Sequence, residues 1–189
     1  EACTTPFDFS AEISADTTIY AKWNVEYEMV TTNADYVAGY TTAINDILRK
    51  GNKCDKITKL LDSAFTKTGF IDVYRTVDWG YMENIYGITK DTINNFISST
   101  ITNKGYMSAS YDFKSPWGDR WTNDELVFHI TSDKLYPYIV VNDIFDDNEI
   151  DCTSQNECIL PRNTQLIIKD ISIMRNRAGT YLIEAVINI

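Results

Sequence analysis

A chain of 189 residues with 44% apolar, 13% aromatic and 23% charged side chains suffices for one ordinary domain and excludes a disordered tail or a fibrous repeat. Seventeen Lys and Arg against 27 Asp and Glu give a formal charge of -10, which repels phosphate backbones and anionic membranes and argues against nucleic acid as a partner. The single histidine, His129, excludes a site of several imidazoles, and the four cysteines lack zinc-ribbon spacing, so no metal is expected.

In chain order, residues 7–23 read as a small β unit in which Thr17, Ile19, Ala21 and Trp23 alternate with outward positions. This piece resembles the last half of an internalin-type B repeat, a module of Gram-positive surface and secreted proteins. The resemblance divides the chain into 1–23, the end of such a repeat with its linker, and 24–189, the main domain. It implies a secreted or cell-surface, extracellular polypeptide. No stretch reaches the roughly 20 apolar residues of a membrane-spanning helix, so no membrane insertion by this fragment is expected.

Tyr36, Val37, Tyr40, Ile44, Ile47 and Leu48 recur at helical spacing between a cap at Thr32 or Asn33 and a terminating Gly51, and Cys54, Ile57, Leu60, Leu61, Ala64 and Phe65 predict a second helix ending at Gly69. Phe70–Val77 reads as a strand with Arg75 on the apolar face of Ile71, Val73 and Val77. Ile93, Phe96, Ile97 and Ile101 predict a third helix, Tyr106–Ser110 a short strand, and Tyr111, Phe113, Trp117 and Trp121 an aromatic loop. Five β-branched runs follow: Glu125–Thr131, Tyr138–Asn142, Glu157–Leu160, Thr164–Met174 and Thr180–Ile189. Helices first and strands later predict an α+β fold.

Three polar features sit on strands that would otherwise be core: Arg75, Ser108 with Ser110, and Gln155 with Glu157. Members of each pair are two apart and point to one side of an extended backbone. Converging, they would offer a guanidinium fork for a pyrophosphate, a hydroxyl for a ribose and a carboxylate beside both, a cleft for a dinucleotide with one cationic centre. Together with Asn45 and Arg49 on the first helix, Val73-Tyr74-Arg75, Gly105 to Ser110, and Gln155-x-Glu157-x-x-Leu160-Pro161-Arg162, the order over residues 30–189 resembles bacterial mono-ADP-ribosyltransferase toxins. Within that class it resembles in particular the clostridial Rho-modifying exoenzymes and the catalytic subunits of actin-modifying binary toxins.

The resemblance implies two packed, twisted β-sheets with N-terminal helices, and NAD as co-substrate. It implies Glu157 as catalytic carboxylate, Ser108 positioning it and the nicotinamide ribose, and Arg75 on the NAD phosphates or ribose. Asn45 and Arg49 would reach the adenosine and phosphate side, Tyr36 and Tyr40 the reaction centre, Trp117 the nicotinamide and Arg120 a phosphate. Gln155 in place of the glutamate of arginine-modifying members implies an Asn or Gln acceptor, on a host protein such as a small GTPase inside a host cell. An NAD glycohydrolase and a non-catalytic surface binding module remain as alternatives, and a monomer is expected.

Taken singly, each feature has an ordinary structural reading. Tyr36 and Tyr40 lie on the apolar stripe of their helix, Arg162 is expected in a structural ion pair, His129 should face solvent or a polar partner, and Phe145 is either a loop aromatic or a recognition contact. Cys3, Cys54, Cys152 and Cys158 allow several pairings, among them a bridge from Cys152 to Cys158, or buried thiols.

Overall fold

The computed structural model describes residues 41–52, 55–113, 125–143, 156–175 and 179–189. The repeat-like stretch 1–23, together with Phe145, Cys3, Cys54 and Cys152, lies outside the described residues. Helix α1 (Thr41–Arg49) and helix α2 (Asp55–Ala64) follow the predicted stripes and bury pairs four residues apart, Ile44 with Leu48 and Ile57 with Leu61. Helix α2 stops at Ala64, earlier than expected, because Lys67–Gly69 forms a short strand, β1. Gly69 allows that pairing: a Cβ there would lie 3.1 Å from the Tyr138 ring, on the strand opposite.

Strand β2 (Asp72–Val77) leads into a helix the apolar pattern had not suggested, α3 (Trp79–Tyr86). Its ends explain it. The Asp78 carboxylate accepts from the Tyr81 N–H at 2.6 Å, and Gly87 closes the helix in the left-handed conformation at φ 68°. The predicted third helix is instead one 3-10 turn, Ile93–Phe96, and Ile101 lies on strand β3 (Thr100–Asn103). The remaining strands are β4 (Met107–Ser110), β5 (Leu126–Thr131), β6 (Tyr136–Val140), β7 (Glu157–Leu160), β8 (Thr164–Ile173) and β9 (Tyr181–Ile187). All fall in expected runs, except that β6 starts two residues early and gives way to a 3-10 turn at Val141–Asp143.

The strands pair in the order β1-β6-β7-β4-β2-β5-β9-β8-β3, antiparallel throughout except β5 with β9. The ladder nearly breaks in one place. Strands β2 and β4 share the single register pair Tyr74↔Ser110, so two half-sheets meet there. Their facing sides share one core, in which Met107, Ala109 and Cys158 join Val73, Phe128 and Ile183. Helices α1 and α2 cover the other side of β4, β6 and β7 through Ile44, Leu61, Tyr106, Ile139 and Ile159. The fold is α+β, as expected, with the two sheets joined by one residue pair.

Two anticipated side chains find partners on this frame. Arg162, after β7, pairs with Asp62 of α2 at 2.8 Å, while the Tyr106 hydroxyl donates to the same carboxylate at 2.8 Å. His129 of β5 stacks on Tyr74 of β2 at 4.7 Å and places its ring nitrogens 2.7 Å from Glu184 of β9 and 2.9 Å from Asp72 of β2. Burial pulls the His129 pKa down, but the bonds to both carboxylates outweigh it and leave the pKa raised. A cation thus staples three strands. Its stabilisation is complete below the unfolded histidine value of about 6.5 and is lost as pH rises through the raised folded value. Replacing His129→Gln should therefore lower the melting temperature most at about pH 6 and least at about pH 9. A deficit independent of pH would show that the ring acts only by stacking.

Candidate active site

Where the β2–β4 ladder ends, a side chain takes over from the backbone. Arg75 sits between Val73 and Val77 on the core-facing side of β2, and its Nη1 donates to the Ser108 carbonyl of β4 at 2.6 Å. One guanidinium arm thereby straps the two half-sheets together across their gap. The planar fork has further donors directed elsewhere, which a lysine in the same place would lack.

Glu157 is the first residue of β7, in register with Ser110 of β4. The Ser108 hydroxyl hydrogen-bonds its carboxylate, and the Arg75 charge acts on it. Burial pushes the Glu157 carboxyl up from its ordinary value, while the Ser108 bond and the Arg75 charge pull it back down, and burial prevails. The second serine behaves differently. Ser110 is buried and exchanges bonds with the backbone of Asp112, accepting from its N–H at 3.1 Å and donating to its carbonyl at 3.2 Å, so it shapes the turn after β4. Just before Glu157, Asn156 adopts a left-handed φ of 46°, and its carbonyl accepts from the Tyr111 N–H at 3.0 Å. Strand β7 therefore begins at Glu157, directly after this left-handed residue.

Beside Arg75 lies a group of residues from three elements. Tyr81 of α3 has the Arg49 guanidinium 5.1 Å and the Arg75 guanidinium 5.5 Å from its ring centroid. Its hydroxyl donates to Asn103 Oδ1 at 3.2 Å, and the Tyr86 hydroxyl reaches the same oxygen at 3.5 Å. Burial holds Tyr86 far above the usual phenol pKa, so it stays a neutral donor. Asn103 is fully buried and its Nδ2 donates to the Gly105 carbonyl at 2.6 Å. Asn45 completes this support. It is buried, and its Oδ1 accepts from the Tyr106 N–H at 2.7 Å, so that any Cβ at Gly105 would meet that oxygen at 2.6 Å. The Asn45 side-chain oxygen thus holds the turn into β4 that presents Ser108.

The electrostatics suit an anionic ligand. Among the described residues no carboxylate forms an ion pair with Arg49 or Arg75, and Arg49 Nε is buried without a hydrogen-bond partner. Two guanidiniums with unmatched donors fit a diphosphate, and a half-buried carboxylate bonded to a hydroxyl fits the ribose side of a cationic leaving group. NAD offers both. Of the residues singled out from sequence, Arg75, Ser108 and Glu157 meet in one place and Arg49 joins through Tyr81. Tyr36, Tyr40, Trp117, Arg120 and Gln155 lie outside the described residues. Tyr81 and Asn103 were missed by sequence reasoning, although Asp78 and Gly87 flanking Tyr81 carried a capping signal. Cys158, next to Glu157 but facing the shared core, is a buried free thiol, and burial pushes its pKa up to about 12, which disfavours a reactive thiolate.

Comparison with known proteins bears directly on this geometry. A family model described as ADP-ribosyltransferase exoenzyme matches residues 18–188, a span that begins inside the stretch read as repeat-like. Among solved structures, the chain resembles Plx2a, an ADP-ribosyltransferase toxin from Paenibacillus larvae, with a TM-score of 0.65 at 20% identity over 82% of this chain and 83% of that one. The Clostridium limosum C3 exoenzyme gives a TM-score of 0.61 at 20% identity, covering 82% and 84%. C3stau2 from S. aureus, solved with NAD, gives 0.60 at 19% identity, covering 82% and 85%. At such identities the structural likeness speaks for the fold. No curated protein matches the sequence.

Proposed function

Because the chain belongs to the ADP-ribosyltransferase exoenzyme family, an NAD-dependent mono-ADP-ribosyltransferase with NAD as co-substrate, we propose that it transfers ADP-ribose to an Asn or Gln side chain of a host protein. The observation that carries this reading is Glu157, half-buried, bonded by the Ser108 hydroxyl and next to the Arg75 strap. In the proposed reaction the bond between the ribose C1′ and the nicotinamide nitrogen breaks and its electron pair leaves with nicotinamide, which departs neutral. No acid need protonate it. What needs stabilising is positive charge developing on the ribosyl carbon, and the ionised, partly buried Glu157, held by Ser108, supplies the opposite charge. Arg75 and Arg49 hold the diphosphate. The acceptor amide nitrogen then bonds to C1′ and releases a proton.

Gln155 carries the acceptor assignment. A neutral amide two residues before the carboxylate both donates and accepts, matching an Asn or Gln side chain, whereas a glutamate there would attract a guanidinium. Trp117 and Arg120 cover nicotinamide and phosphate, and Tyr36 and Tyr40 approach the reacting carbon. The acceptor protein is of the small GTPase class, reached by a secreted toxin acting inside a host cell, a reading that rests on the resemblance of the Gln155-x-Glu157 pattern to the Rho-modifying exoenzymes. Mass-spectrometric mapping of the residue modified in a eukaryotic lysate tests it. Modification at Asn or Gln is expected, and modification at Arg would overturn it.

A further inference from the structure

Like charges repel, yet Arg49 of α1 and Arg75 of β2 both stand within 5.5 Å of the centroid of one ring, that of Tyr81 on α3. An aromatic ring face is negative and attracts cations, most strongly where water is scarce. Tyr81 is also fixed in place. Its N–H donates to Asp78 Oδ1 at 2.6 Å, its ring meets Tyr86 edge-on at 5.8 Å, and its hydroxyl donates to Asn103, a fully buried residue itself tied to Gly105. The ring cannot swing away from the cations without breaking these contacts.

We propose that Tyr81 is a positioning residue: its ring gathers Arg49 and Arg75 onto one π-surface and so pre-forms the two-guanidinium cradle for a diphosphate. This rests on the reading of both arginines as diphosphate contacts. Without the ring, the two cations would separate in the empty site and their reunion would be charged against ligand binding. The cost falls on affinity rather than on bond cleavage, because among the described residues the hydrogen bonds and ring contacts of Tyr81 go to Asp78, Asn103, Tyr86, Arg49 and Arg75, and not to Ser108 or Glu157. The hydroxyl matters less than the ring, since the cations see the quadrupole and not the phenol oxygen.

The test compares Tyr81→Phe, Tyr81→Leu and Tyr81→pentafluorophenylalanine, the last keeping the shape of Phe while inverting the ring's charge distribution. Each is measured for NAD kinetics and for binding of ADP-ribose, which carries the diphosphate without nicotinamide. Tyr81→Phe should keep KM and Kd within about threefold of wild type, while the leucine and fluorinated variants should raise both about tenfold and change kcat less than about threefold. A fluorinated variant that matches Tyr81→Phe would overturn the inference, since packing alone would then account for the ring, and it decides the matter even if Tyr81→Leu fails to fold. Wild type that cleaves NAD yet does not bind ADP-ribose would instead overturn the diphosphate reading on which the inference rests.

Discussion

Glu157→Gln should lower kcat for nicotinamide release from NAD by about 10²–10³-fold, with KM for NAD changed by no more than about threefold. The amide keeps the size of the side chain and can still bond to the Ser108 hydroxyl, so the ground-state complex survives. What disappears is the negative charge that the ribosyl carbon needs as nicotinamide leaves. The same substitution should not reduce the melting temperature. Burial raises the Glu157 pKa, so the ionised form is less comfortable in the folded chain than in water, and a neutral amide relieves that cost. The pH profile follows with the same sign. Wild-type turnover should fall as pH drops through a value above the usual glutamate pKa of about 4.3, because protonation removes the required charge. A large rise in KM with kcat retained would assign Glu157 to binding alone.

Arg75→Ala should reduce kcat/KM for NAD by about 10²-fold and lower the melting temperature as well. Two losses combine here. The diphosphate loses a charge-assisted contact, and the Ser108 carbonyl loses the Nη1 donor that spans the β2–β4 gap. A fully buried acceptor left without its donor costs about 1–3 kcal/mol, and this part-buried carbonyl loses less. Arg75→Lys should recover part of the binding but little of kcat, since a single ammonium cannot hold the carbonyl and the phosphates in one fixed geometry. Full activity in Arg75→Lys would show that the guanidinium fork has no part beyond its charge.

The cluster of Arg75, Ser108 and Glu157 was readable as a set of polar positions because strands impose a period of two. Arg75 stands out where Val73 and Val77 define a core face, and Ser108 stands out between Met107 and Ala109, both buried among apolar side chains. The first two helices were readable for the matching reason, since their buried pairs recur every four residues. Helix α3 escaped because Met82 is its one buried side chain, and without an apolar stripe only the caps at Asp78 and Gly87 betray it. Tyr81 and Asn103 escaped with it. Their importance comes from which cations and phenols the tertiary fold brings to them, and no local spacing encodes that. Asn45 was legible as a marked position but not as a support, because its partner, the Tyr106 N–H, lies 61 residues away. The left-handed turn at Asn156 likewise ends the simple alternation assumed before Glu157.

Transfer itself is the most direct test of the proposed activity. Wild type and Glu157→Gln, each shown to be folded, are incubated with a eukaryotic lysate and NAD labelled in its adenylate phosphate, and nicotinamide release and protein-bound label are followed together. Wild type should release nicotinamide and label a protein, and both signals should fall by about 10²–10³-fold with Glu157→Gln. Folded wild type that releases no nicotinamide and labels no protein, or a Glu157→Gln variant that labels as fast as wild type, would contradict it.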